Sequence, residues 1–380
     1  MSVPADEPLL VLDPFDTDLL GLDDWSLLRR LGRTTLLRLP GTGQARPRAV
    51  VTLQHGDEPS GLQALLRVLR RRHRFPFDLH VVIGNVEAAL EPPGFAHRFL
   101  PRQRDMNRLW TMEVADDAQA AAVIAAREHL RRLAPSSIVD LHNTSGANPF
   151  HAIVTRTDVA SLDLALRFTT TVVHWEQRVG ALMEAFDDGT PAIAIECGLA
   201  GRPGSLAFAL DGIRRWLAGP DPSSTAELPD HDLLGPMRRV LIDPAVRLRF
   251  GGAPDAEVEV TVPIDADRRN GIPTPAGWTL AEVAEGRPMP FRVVEPDGRD
   301  VTDTVLALEG RHVVVVVDST PLMMTRTVDA ARKDCLTYLL GTRTLPTATE
   351  GSHPSAPLAM RAPGRVPGWT AGLRDVAAGG

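Results

Sequence analysis

Four short aliphatic runs recur through the first part of the chain, Ala49 to Leu53, His80 to Ile83, Ser137 to Leu141 and Pro191 to Ile195, with longer segments between them. Runs of this length bounded by turn residues read as strands. Gly61 to Arg71 carries Leu62, Leu65, Leu66 and Leu69 on one inward face, Asp116 to Leu133 is an alanine-rich helix, and Ser205 to Ala218 is helical again; Leu162 to Val172 is mixed. Strands alternating with helices restrict the chain to an α/β layer fold, with a mixed, largely parallel central sheet and helices on both faces. Reactive groups in such sheets collect at the carboxyl ends of the strands.

Residues 16 to 32 are expected to form an N-terminal helix with a broad apolar face that includes Leu20, Trp25, Leu27, Leu28 and Leu31. Thr34 to Leu39 reads as a strand joined to Ala49–Leu53 by a turn at Gly41 to Pro47. The run Arg70-Arg71-Arg72 reads as a solvated helix end. Beyond the breaker cluster Gly219-Pro220-Asp221-Pro222-Ser223-Ser224 the long helical periodicities stop. Arg239 to Ile242, Val246 to Phe250, Ala256 to Val262, Phe291 to Val294 and His312 to Val317 are short strands among proline and glycine turns. We therefore expect an α/β domain over 1–225 with an N-terminal helical extension and a smaller, mainly β domain over 235–344. A flexible tail rich in proline, glycine and alanine is expected over 345–380. Tyr338 lies in an apolar segment read as helical, and is expected in the core.

Charge and cysteine usage remove several functional classes. Forty-eight acidic against 41 basic residues leave a net charge of −7, which offers no footprint for nucleic acid or an anionic membrane. The two cysteines, Cys197 and Cys335, are too few for a disulfide framework and lack the paired spacing of structural zinc, so a reducing compartment is expected. The acidic first 16 residues show no basic flank before an apolar stretch. Val313 to Val317 is far shorter than the roughly 20 residues of a membrane span. The expectation is a cytoplasmic protein acting on a small or peptide-like molecule, with homo-oligomerisation left open.

The chemistry sits at the strand ends. Val50-Val51-Thr52-Leu53 runs into Gln54-His55-Gly56-Asp57-Glu58, and Ile138-Val139-Asp140-Leu141 into His142. Two imidazoles and one carboxylate form the ligand set of an open, catalytic zinc site, with a coordination position left for water. On its own, His-x-x-Glu is weak evidence, and His142 could equally be a strand-end histidine held by Asp140 or by a carbonyl. Asp140 could also orient a ligand from behind. Glu196, closing Ala192-Ile193-Ala194-Ile195, is a carboxylate that is costly to bury unless paired or kept for proton transfer. Asn107 and Arg108 offer an amide and a planar guanidinium suited to a substrate carboxylate, though by composition their loop is also an ordinary solvated basic one. Neither a Gly-x-Ser-x-Gly elbow nor a phosphate-cradling glycine loop is present.

In order and spacing these segments resemble the succinylglutamate desuccinylase/aspartoacylase family, relatives of the zinc carboxypeptidases. His55-Gly56-Asp57-Glu58 with Gly61 is similar to its His-Gly-Asn-Glu opening, Gly84-Asn85-Val86 to its Gly-Asn-Pro turn, and Asp105-Met106-Asn107-Arg108 to its Asp-Leu-Asn-Arg. Asp140-Leu141-His142-Asn143-Thr144 matches Asp-Leu-His-Asn-Thr in full, and Glu196-Cys197-Gly198 is similar to Glu-x-Gly. The resemblance spans roughly residues 48 to 215. It implies one zinc per chain on His55, Glu58 and His142, Glu196 as general acid/base, and Asn107, Arg108 and Asn143 at the substrate. It also implies a zinc carboxypeptidase-like α/β domain followed by a small β domain.

The departures are informative. Asp57 replaces the family's asparagine, and Arg98, Arg102 and Arg104 compete for the arginine that polarises the scissile carbonyl, with Arg98 preferred. No arginine occurs from Leu182 to Ile195, where aspartoacylase-like enzymes carry one for the acidic side of their substrate. The reading is a zinc-dependent amidohydrolase for a small N-acyl amino acid or related carboxylate-bearing amide. The alternatives are a metallocarboxypeptidase acting on peptides and a non-catalytic zinc- or ligand-binding protein on the same scaffold.

Overall fold

Side chains along the buried strands alternate between two packed layers, and this alternation builds the main sheet. The computed structural model describes residues 7–71, 74–333 and 335–341. Arg72 and the segment 345–380, expected as a tail, lie outside the described residues. The strands are β1 (Leu10–Leu12), β2 (Thr35–Leu39), β3 (Arg48–Thr52), β4 (Leu79–Ile83), β5 (Ser137–Thr144), β6 (His151–Val154), β7 (Thr171–His174), β8 (Ala192–Leu199) and β9 (Asp232–Leu234), in the spatial order β1-β2-β4-β3-β5-β8-β6-β7-β9. The central β4-β3-β5-β8 block is parallel throughout. Antiparallel pairs join β2 to β4 and β6 to β8.

Val50, Val139, Leu141, Ile193 and Ile195 pack into one layer with α1 (Asp24–Leu31), α2 (Ser60–Arg71), α3 (Val86–Leu90), α5 (Val159–Leu166) and α6 (Pro203–Ala218). Ala49, Val51, Ile138 and Ala192 face the other way, onto α4 (Ala118–Leu133). Covering on both faces is what makes these strands aliphatic without polar alternation. His142 and Glu196 fall on the second face, directly opposite one another in the β5–β8 register.

The remaining strands form two further sheets. β10 (Met237–Ile242), β14 (Phe291–Val294), β17 (Thr320–Leu322) and β18 (Thr337–Leu340) are antiparallel in the order β14-β10-β18-β17. β11 (Leu248–Phe250), β12 (Val260–Val262), β13 (Trp278–Val283), β15 (Leu306–Glu309) and β16 (His312–Val315) form a five-stranded sheet. Their shared core is separate from that of the main sheet. A second contact surface joins Ile153, Val173 and Ala194 of the main sheet to Met237, Leu322, Tyr338 and Leu340. No helix among the described residues is long and apolar enough to cross a membrane.

Several expectations are corrected. The N-terminal helix is two pieces, a 3-10 turn at Thr17–Gly21 and α1, because Asp16 and Asp23 each cap a new start; Asp23 accepts from the backbone N–H of Ser26 at 2.9 Å. β2 and β3 are consecutive in the chain but not neighbours in the sheet, since β4 lies between them. The turn is tied instead to the run into β4, with Thr42 N–H bonded to Phe75 O at 2.9 Å and Gly41 N–H to the Asp78 carboxylate at 2.7 Å. β1, β6, β7, β9, β13, β15, β17 and β18 escaped the sequence reading; Tyr338 sits on strand β18, not on a helix, and is buried as expected. A short apolar run has no period long enough to separate the two states.

Gly61 lets α2 lie close on the sheet. A Cβ there would meet Leu141 Cβ at 2.4 Å and Thr52 Oγ1 at 2.9 Å. Helix propensity favours Gly61→Ala by about 1 kcal/mol, whereas overpacking of this kind costs about 1–3 kcal/mol. We expect the clash to win, seen as a lower midpoint in thermal or denaturant unfolding; a rise in midpoint would show that the layer yields.

Candidate metal centre

The first two candidate ligands are held by a forced turn. β3 ends at Thr52, and buried Leu53 takes φ = 56°, a conformation unfavourable for a bulky residue and kept only where its surroundings impose it. Gly56 then presses against α3 and the loop after it: its N–H donates to Arg98 O at 3.0 Å, and a Cβ would stand 2.5 Å from Ala89 N and 2.7 Å from His97 O. Glu58 N–H closes back on His55 O at 3.2 Å, so both side chains face one point just before α2 begins. β5 brings His142 to the same point from the neighbouring strand.

Each imidazole presents Nδ1 to the Glu58 carboxylate, His55 at 2.8 Å from Oε1 and His142 at 2.9 Å from Oε2. The far nitrogens are backed by carboxylates, His55 Nε2 by Asp105 Oδ1 and His142 Nε2 by Asp140 Oδ2, both at 2.8 Å. Carboxylates only accept, so both nitrogens of each ring face acceptors: a doubly protonated imidazolium satisfies them, and so does a metal ion on the Glu58 side with the proton kept on Nε2 toward the backing carboxylate. One possible ligand atom from each of His55, Glu58 and His142 lies within 4.8 Å of the others. The three carboxylates of Glu58, Asp105 and Asp140 around these rings call for positive charge, from protons on the rings or from a cation among them. The donor set therefore fits one metal ion, and the backing carboxylates are the partners that metal-bound histidines ordinarily have. Further bonds fix the backing groups: Gln54 donates to Asp140 at 2.6 Å, Trp110 Nε1 donates to Gln54 at 2.6 Å, and Arg98 bridges Glu58 at 3.1 Å and Asp105 at 3.0 Å.

With no cation among them, the rings carry the balancing charge. Burial disfavours a charged His142, yet Asp140 and Glu58 outweigh it and hold its pKa well above the usual imidazole value. Burial likewise opposes ionisation of Glu58 and Asp105, but His55 and its neighbours keep both carboxyls below the ordinary carboxylate range. Glu196 behaves oppositely. Burial, with help from Glu58, pushes it up to about 7 against the pull of His142, and its Oε2 is buried without a hydrogen-bond partner.

These groups open on a cavity of about 460 Å³. His55, Glu58, His142 and Glu196 line it, together with Arg98, Asn107, Arg108 and Asn143. Of the three competing arginines only Arg98 does so; Arg102 pairs with Glu87 at the surface and Arg104 with Asp116 and Asp117. Asn107 spends its amide oxygen on Leu182 N–H at 3.0 Å and sets its nitrogen 3.3 Å from His142 Nε2. The Asn143 amide ties Ser60 N–H at 3.1 Å to Gly198 O at 2.7 Å, while its backbone N–H donates to Glu58 at 3.0 Å. Sequence reasoning missed Asp105 and Gln54 as backing groups, although each sits within a segment it singled out. It also missed Met323, Thr325 and Cys335, which line the cavity from the segment between β17 and β18 and carry no local signal.

Elemental analysis of the purified protein should find close to one metal ion per chain, and almost none in His55→Ala or His142→Ala. Asp105→Asn should weaken metal affinity about 10–100-fold without abolishing it; an unchanged affinity would remove the backing role.

No family model and no curated protein matches this sequence. Among solved structures the chain is similar to the succinylglutamate desuccinylase from Chromobacterium violaceum, with 16% identity and a TM-score of 0.51 over 82% of this chain and 89% of that one. It is also similar to a succinylglutamate desuccinylase/aspartoacylase from Rhodobacter sphaeroides, with 15% identity and a TM-score of 0.50 over 80% and 87% of the two chains. At these identities what is shared is the fold: a mixed α/β sheet domain with accessory C-terminal β-sheets, as in the succinylglutamate desuccinylase/aspartoacylase structures.

Proposed function

We propose that this chain is a zinc-dependent hydrolase that cleaves the amide bond of a small N-acyl amino acid or a related carboxylate-bearing amide. The observation that carries the reading is the juxtaposition of two unlike sites: a group of acceptors suited to a dication, and, across one strand register, a carboxyl raised to about 7 that serves no structural bond through Oε2. A binding protein has no use for the second. Two imidazoles and one carboxylate favour zinc among the common ions, held by His55, Glu58 and His142. When bound, zinc supplies a Lewis acid that polarises a carbonyl and makes water a stronger acid.

The residues of the chain do the rest. Glu196 takes a proton from the attacking water and returns it to the departing amide nitrogen, a task suited to a carboxyl titrating near neutrality. Arg98, at the rim of the same cavity, donates to the carbonyl oxygen as negative charge grows there. Arg108, with Asn107 beside it, holds the substrate carboxylate. Asn143 keeps β5, β8 and the start of α2 in register around the ligands.

Glu196→Gln should retain the metal and lose about 10²–10⁴-fold in kcat, and a variant that turns over normally would end the proposed mechanism. A general base works only when ionised. Because the folded-state pKa of Glu196 is raised, kcat/KM should rise with pH through an inflection at about 7, moved lower by a nearby dication. A flat profile from pH 5 to 8 would assign the proton transfer elsewhere.

A further inference from the structure

We propose that the amino-acid half of the substrate carries an apolar side chain, aromatic or branched aliphatic, received by a lobe of the cavity formed by Ile153, Trp175, Val179, Met183, Ala194 and Met323. This rests on the hydrolase reading and names the substrate class of that same site.

The lobe follows from the sheet. Ala194 lies two residues before Glu196, on the same face of β8 and about 7 Å back along the strand. Ile153 is its direct cross-strand partner on β6. Trp175 packs its ring against Tyr338, with centroids 5.3 Å apart, so a C-terminal strand backs the wall. All six residues line the cavity and belong to one apolar cluster.

The position of the lobe says which half of the substrate enters it. Val179 and Met183 belong to a segment fastened to the loop that bears Asn107 and Arg108: Trp110 N–H bonds to Gly180 O at 3.0 Å, and Leu182 N–H to Asn107 Oδ1 at 3.0 Å. Gly180 approaches so closely that a Cβ would stand 2.4 Å from Arg108 O. The apolar wall therefore adjoins the residues assigned to the substrate carboxylate, and the group it meets is the side chain on the same carbon.

Charge excludes the acidic alternative. Among the described residues lining the cavity, the arginines are Arg98 and Arg108 and there is no lysine. Both arginines lie on the loop side, and the segment 182–195 behind the lobe has no cation at all. A side-chain carboxylate placed among Ile153, Trp175 and Met183 would lose its water without gaining a counter-charge, whereas an apolar group is favoured there by leaving water.

Zinc-loaded Glu196→Gln protein, titrated calorimetrically with N-acetyl-L-phenylalanine, N-acetyl-L-leucine, N-acetylglycine and N-acetyl-L-aspartate, tests this without turnover. The phenylalanine or leucine compound should bind at least about a hundredfold more tightly than the aspartate compound. Equal or tighter binding of the aspartate compound, or no binding of any, overturns the proposal. Ala194→Leu, made in the same background and checked for unchanged metal content, should fill the lobe. It should weaken the phenylalanine compound about tenfold or more while leaving N-acetylglycine unchanged; equal losses for both overturn it as well. Discrimination in binding by a parent enzyme that hydrolyses none of the four would uphold the lobe and defeat the hydrolase reading instead.

Discussion

A buried carboxylate between two imidazoles organises this molecule. Glu58 is 5% exposed, and it meets Nδ1 of both His55 and His142 while Asp105 and Asp140 hold the opposite nitrogens. Carboxylates this close together are tolerable only with positive charge among them, which protonated rings or a dication can supply. The surrounding backbone is built to that requirement. Leu53 takes a left-handed conformation and Gly56 comes within contact of the Ala88–Ala89 backbone, so the His55–Glu58 turn has little freedom to relax.

The parallel centre of the sheet converts that cluster into a reactive site. β3, β5 and β8 end side by side, and their common direction brings His55, His142 and Glu196 to one edge, as parallel sheets generally do. Rigid strands, rather than loops, carry two of the three groups, which suits chemistry that needs a fixed approach. The raised Glu196 and the lowered Glu58 and Asp105 show one environment pushing carboxyls in opposite directions, according to whether each has a cationic neighbour in hydrogen-bond reach.

Much of the ligand set was legible because it was local. His55 and Glu58 lie on one turn after a strand, and His142 and Glu196 interrupt aliphatic runs where a polar group needs a reason. The choice among Arg98, Arg102 and Arg104 was not legible, since it depends on which face of an irregular loop meets Glu58 and which meets Glu87 or Asp116. Tyr338 was misassigned to a helix because a four-residue run carries no usable period, and the turn read between β2 and β3 gave no sign that β4 lies between them in the sheet.

The sequence by itself determined the alternation of strands and helices, the position of chemistry at strand ends, and the kinds of group available there, because periodicity and local chemistry are written along one dimension. Only the tertiary structure decided that Asp105 and Asp140 back the imidazoles, that β4 separates β2 from β3, and that Trp175, Met183 and Met323 share a wall of the cavity. Those contacts join residues tens to more than a hundred positions apart, or turn on which face of a strand is buried. Packing of whole layers selects them, and no local pattern encodes them.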